Sequence, residues 1–201
     1  NDFICIGAVH SDYILKFKQN YYKNRTNPII QEENLGGVAY NIAKKLSFLN
    51  QETTLYSLNC NEVQKKEIKL QGIKFKTLNK QIAQRYYTSI LDRNGKMILG
   101  LANMDDYEQF IAYKNLKNFK NKNIILDLNL SAELIKEIID NNYKKNNICI
   151  CGTSSHKIYK IKRLLKKIDT IILNKQEATN LTKKETIKDS MDHIIKQNRA
   201  L

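Results

Sequence analysis

The sequence predicts an α/β fold: a mostly parallel sheet packed with helices, with a small β flap inserted near its start. Three observations carry this. Short apolar runs alternate with amphipathic helical segments, the rhythm of βαβ units. Two alternating segments flank Asp92-Arg93-Asn94-Gly95, and Asn-Gly in that setting is the strongest short-range hairpin signal. The 201 residues are 42% apolar with seven Gly and one Pro, enough for a core and without a linker to divide it.

Residues 3–9, Phe-Ile-Cys-Ile-Gly-Ala-Val, read as a buried strand. Gly36-Gly37 opens a helix over 37–49, with Val38, Ile42, Leu46 and Leu49 on one stripe. A strand over 53–58, a short polar helix over 62–70 and a strand over 73–78 follow. Segments 13–17 and 28–32 join the hairpin strands 85–91 and 96–101 in a separate small sheet. The expectation is thus one domain, 1–201, with lid elements at about 13–33 and 85–101. The remainder alternates regularly: strands at 123–128, 147–151 and 170–173, helices at 132–141, 155–167, 175–181 and 185–197.

Composition excludes several function classes. No run of eighteen apolar residues exists to span a membrane. The first residues lack a basic start and apolar stretch, so no secretory signal is visible, and without an initiator Met the expectation is that the first residues are missing. The net charge is +14, yet only five of the 34 basic residues are Arg, and the lysines are interleaved with acids. Lys is the weaker choice for reading base edges, so a solvated basic surface is expected rather than specific nucleic-acid binding. Cys5, Cys149 and Cys151 lie in apolar runs and read as reduced core thiols of a cytoplasmic protein. For Cys149-x-Cys151 the expectation is sulfurs on opposite strand faces, with no second Cys/His pair to complete a metal site.

Ligands of open parallel sheets bind beyond the carboxyl ends of the strands. The polar residues following the apolar runs are Asp12, Asp127, Asn129, Thr153, Asn174 and Glu177. Gly36 and Gly37 offer close backbone approach at a helix N-terminus, and Asn41 stands one turn on. Asn174-x-x-Glu177 fits a capping box, and equally two oxygen donors orienting a hydrated Mg²⁺ near phosphates; both readings stay open. No GxxxxGK[ST] loop, GxGxxG fingerprint or Ser/His/Asp arrangement is present.

Taken in order, several segments resemble the ribokinase-like (PfkB) carbohydrate kinases, and within them the pseudouridine kinase branch. They are residues 3–12, Thr26-Asn27-Pro28, Gly36-Gly37-Val38-Ala39-Tyr40-Asn41, and Tyr87-Thr88-Ser89-Ile90-Leu91-Asp92. Ala102-Asn103-Met104-Asp105, Asp127-Leu128-Asn129, Thr153-Ser154-Ser155-His156-Lys157 and Asn174-Lys175-Gln176-Glu177-Ala178 continue the series. The resemblance implies a three-layer α/β/α Rossmann-like domain with a β lid, lacking its C-terminal part. It implies transfer of the ATP γ-phosphoryl to a ribosyl 5′-hydroxyl. Asp12, Gly36, Gly37, Asn41, Asp127 and Asn129 would bind the sugar or nucleoside. Asn174 and Glu177 would serve the nucleotide, with Glu177 toward Mg²⁺. The lid's open edge suggests a homodimer.

Two departures accompany it. The family's base stands in a later Gly-Ala-Gly-Asp loop beside an anion hole, and no Gly follows Gly152 here. The chain is therefore expected to be inactive alone. Where the family has Gly-x-Asp-x-x-Gly, residues 59–64 read Asn-Cys-Asn-Glu-Val-Gln. The alternatives are a non-catalytic nucleoside- or sugar-binding relic and a basic polyanion-binding module.

Overall fold

The computed structural model describes residues 2–82, 85–109, 116 and 118–198. In chain order the elements are β1 (Phe3–Ile6), β2 (His10–Phe17), β3 (Ile29–Gly36), α1 (Val38–Phe48), β4 (Thr53–Ser57), α2 (Glu62–Leu70) and β5 (Lys74–Thr77). Then come β6 (Tyr86–Leu91), β7 (Met97–Asn103), α3 (Asp105–Gln109), β8 (Asn123–Asp127), α4 (Ala132–Asn142), β9 (Asn147–Cys151), β10 (Thr170–Ile172), α5 (Lys175–Thr182) and α6 (Ile187–Asn198).

Six parallel strands form the main sheet in the order β10-β9-β8-β1-β4-β5. Strand alternation sorts their side chains onto two faces. Ile4, Ile6, Leu126, Ile148 and Ile150 face α4, whose Leu134, Ile135, Ile138 and Ile139 fill that core together with Leu181 of α5. Cys5, Leu55 and Ile125 face Ala39, Tyr40 and Ala43 of α1 and Ile68 of α2. The result is the expected three-layer α/β/α arrangement. Among the described residues, no helix is long and apolar enough to cross a membrane.

The second sheet is the flap, in the order β3-β2-β6-β7. β2 pairs antiparallel with β3 and parallel with β6, and β6 closes the Asn-Gly hairpin with β7. The flap strands run longer than the sequence predicts: residues 10–12 and 33–36, read as rim and loop, extend β2 and β3. Their polar side chains hide the strand signal, and cross-strand pairing supplies it. Conversely, β1 stops at Ile6 because the chain bends at Gly7.

Two further expectations are corrected. The helix over 155–167 is instead two short 3-10 turns, Ile158–Ile161 and Leu165–Lys167. Ile158, Ile161, Leu164, Leu165 and Ile168 are all buried, a spacing near three that the tighter winding aligns on one side. Cys149 and Cys151 do not face opposite ways: residues two apart on a strand share a face, and both pack with the α1 core.

Candidate functional site

The polar residues at the strand ends meet first around the start of α1. Gly37 precedes that helix at φ 115, and it has no side chain to cap it. A Cβ there would run into the Ala8 carbonyl, so only glycine lets α1 start against the end of β1. The missing cap comes from β8. Asp127, 1% exposed, accepts on Oδ2 from Ala8 N–H at 2.9 Å and Ala39 N–H at 3.2 Å, and on Oδ1 from Asn129 N–H at 2.9 Å. A carboxylate at a helix N-terminus also meets the favourable end of its dipole. Asp127 is therefore committed to three backbone donors.

Asp12 projects from β2 toward Gly36, whose absent Cβ leaves room for the carboxylate. Its Oδ1 stands 2.9 Å from His10 Nδ1, an ion pair when His10 is protonated. Asn41 is exposed on α1, its N–H donating to the Gly37 carbonyl at 2.9 Å.

Beyond this cluster opens a cleft of about 730 Å³ between the flap and the ends of β8 and β9. His10, Tyr87 and Ala102 line it from the flap; Asn129, Thr153 and Lys157 line it from the main sheet. Lys157 Nζ donates to Asn129 Oδ1 at 3.0 Å and stands 3.2 Å from Glu108 Oε1. The hydroxyl oxygens of Thr153 and Ser154 are buried there without a protein partner among the described residues. Lys160 forms the floor, its side chain 1% exposed. Its Nζ donates to both Glu108 oxygens at 2.7 Å, to Leu128 O at 2.9 Å and to Leu130 O at 2.7 Å. Burial holds its ammonium below the usual lysine range, while the Glu108 carboxylate pushes the other way.

The flap is anchored by Tyr107 on α3. Its fully buried Oη accepts from Val9 N–H at 2.7 Å, donates to Val9 O at 3.0 Å and pairs with Ser57 Oγ at 2.8 Å. Arg85 lies over the ring at 4.7 Å and donates to Val9, Leu58 and Asn59 carbonyls. Three crossings between flap and main sheet are thus tied at Val9.

Asn174 and Glu177 form the capping box of α5: Asn174 Oδ1 accepts from Glu177 N–H, and Glu177 Oε2 accepts from Asn174 N–H, each at 2.9 Å. Glu177 is 3% exposed and packs against Gly152, next to the cleft-lining Thr153. Among the described residues no group of three or more His, Cys, Asp or Glu converges on a metal position. A lone carboxylate suits a hydrated Mg²⁺ shared with phosphates, not an all-protein cage.

The structure thus brings Asp12 to Gly36, Asp127 to Gly37's helix, Asn129 to the cleft wall and Glu177 to its edge. His10, Glu108 and Lys160 were not singled out by sequence. Nothing local distinguishes Lys160 from the other lysines of its segment; only its burial does.

No protein-family model matches the chain. It is 30% identical over 190 residues to a pseudouridine-metabolizing bifunctional protein of Schizosaccharomyces pombe, across 88% of this chain and 25% of that protein. The chain therefore spans about a quarter of the curated relative's length. Among solved structures, a carbohydrate kinase from Agrobacterium tumefaciens superposes with a TM-score of 0.84 at 21% identity, over 98% of this chain and 67% of the other. Arabidopsis thaliana ribokinase, complexed with ribose and ATP, superposes with a TM-score of 0.74 at 14% identity, over 96% and 67%.

Proposed function

The chain has the fold of the ribokinase-like (PfkB) carbohydrate kinases, and we propose that it contributes the sugar-holding part of a kinase acting on a ribosyl nucleoside such as pseudouridine. The observation that carries this reading is the cleft between flap and strand ends, lined by His10, the partner of Asp12, at one side and by Asn129 and Lys157 at the other. Carboxylate and amide side chains at such a mouth accept and donate, as ribose hydroxyls require. The relative's name supplies pseudouridine as the substrate class. Closure of the flap would exclude water from the reacting hydroxyl.

Phosphoryl transfer would draw on ATP. Asn174 and Glu177 would orient Mg²⁺ through water beside the phosphates, where the cation offsets developing charge. Positioning and electrostatics supply nearly all catalysis of this kind. These 201 residues hold no Gly-Ala-Gly-Asp loop, so this polypeptide is expected to bind without turning over. Calorimetric titration with pseudouridine should give saturable binding that Asp12→Ala weakens at least tenfold. The same protein given ATP and Mg²⁺ should form no phosphorylated product above background. Absence of pseudouridine binding would sink the reading, and clear turnover would refute the expected inactivity.

The flap face turned away from the cleft carries Tyr13, Leu15, Tyr86, Ile90, Leu99 and Leu101, aligned by register. Leu99 is 49% exposed and Leu101 46%. An apolar sheet face of this extent suits pairing with a second copy. Leu99→Lys is expected to shift a dimer to monomer in sedimentation equilibrium; a wild-type monomer at every concentration would remove the proposal. All four cysteines are free, which suits a reducing cytoplasm.

A further inference from the structure

Cys149 and Cys151 stand two residues apart on β9 and share the α1 side of the sheet. In register, Cys149 lies between Ile125 and Thr170, and Cys151 between Asp127 and Ile172. α1 packs on β1, β4 and β8, and α2 on β5. Among the described residues no helix packs on the β9–β10 end of this face, where Thr170 is exposed and Ile172 is 57% exposed. Cys149 is half-buried at that opening, and Cys151 lies just beneath. The neighbouring Cys149 and burial together push the Cys151 thiol up.

We infer that Cys149 and Cys151 form a two-thiolate site for a trivalent arsenical. Geometry selects this class over its competitors. Two residues of strand advance about 6.6 Å, at the far end of the roughly 4.4–6.8 Å between Cα atoms that a disulfide spans. A disulfide between these two positions would therefore sit at the edge of that range. Zinc in a structural site needs about four donors, and no third Cys, His, Asp or Glu converges among the described residues. A soft centre that accepts two sulfurs and takes its third bond from a carbon group fits the pair as it stands.

Phenylarsine oxide tests this. Two As–S bonds form, the As–O bond breaks, and the two thiol protons leave with the oxygen as one water; no oxidation state changes. The native protein should gain one phenylarsine adduct by intact mass. That adduct should survive excess glutathione, be removed by a dithiol, and disappear in both Cys149→Ser and Cys151→Ser. Cys5→Ser and Cys60→Ser should retain it. Thermal unfolding of Cys149→Ala, a half-buried position, verifies that the fold persists without the thiol. Three results would each overturn the site: an adduct retained in Cys149→Ser, one stripped by glutathione, or one formed only in urea.

Discussion

Asp127→Ala is expected to cost about 3–5 kcal/mol, because it leaves three buried N–H donors without an acceptor at about 1–3 kcal/mol each, partly relieved by relaxation. The change leaves Ala8, Ala39 and Asn129 N–H groups without their acceptor in a water-poor corner. It also uncaps α1, which has no side-chain cap of its own. For a chain of this size each kcal/mol moves Tm by roughly 2–4 °C. A fall of roughly 6–20 °C should therefore appear in circular dichroism. Asp127→Asn keeps one oxygen but turns an amide N–H toward a backbone donor, so it should fall between wild type and alanine. A loss below about 1 kcal/mol for alanine would mean that the three bonds do not hold the corner together.

Tyr107→Phe is the second large effect. It removes the acceptor of Val9 N–H, the donor to Val9 O and the partner of Ser57 while leaving the ring under Arg85 in place. Unsatisfied buried groups of this kind cost about 1–3 kcal/mol. The substitution also carries a pH signature. Burial pushes the Tyr107 phenol up to about 12 from its ordinary value of 10. The folded state then binds the phenolic proton more tightly than the unfolded chain. The stability contributed is complete below pH 10 and is lost as pH rises toward 12. Two units correspond to about 3 kcal/mol. Urea melts between pH 9 and 12 should show a steeper alkaline decline in wild type than in Tyr107→Phe. Parallel declines would show that Tyr107 does not contribute this limb.

The sequence singled out Asp127 as a ligand-binding candidate but not as the cap of α1, and it did not single out Tyr107. Asp127 was visible as a polar residue ending an apolar run, which is also how a ligand-binding carboxylate looks. Its partners Ala8 and Ala39 are 119 and 88 positions away, and only folding assigns them to it. Tyr107 follows the acidic pair Asp105-Asp106 and resembles a surface aromatic until α3 delivers it to Val9, 98 positions away. Lys160 and Glu108 are similar, separated by 52 positions and joined only when the 3-10 turns pass beneath α3. By contrast Asn174 and Glu177 were legible as a capping box, because that device is closed within four residues.

Short-range physics was thus settled by the sequence: apolar runs became β1, β4, β5, β8, β9 and β10, Asn94-Gly95 turned the hairpin, and Gly36-Gly37 opened α1. Tertiary structure decided what no local period encodes. It chose a 3-10 winding for residues 158–167, lengthened β2 and β3 through pairing, and gave Asp127 to the backbone while leaving Asn129 and Lys157 facing the cleft. The physical reason is range: propensity and capping act over a turn or two, whereas burial and hydrogen-bond satisfaction depend on which distant segments arrive alongside.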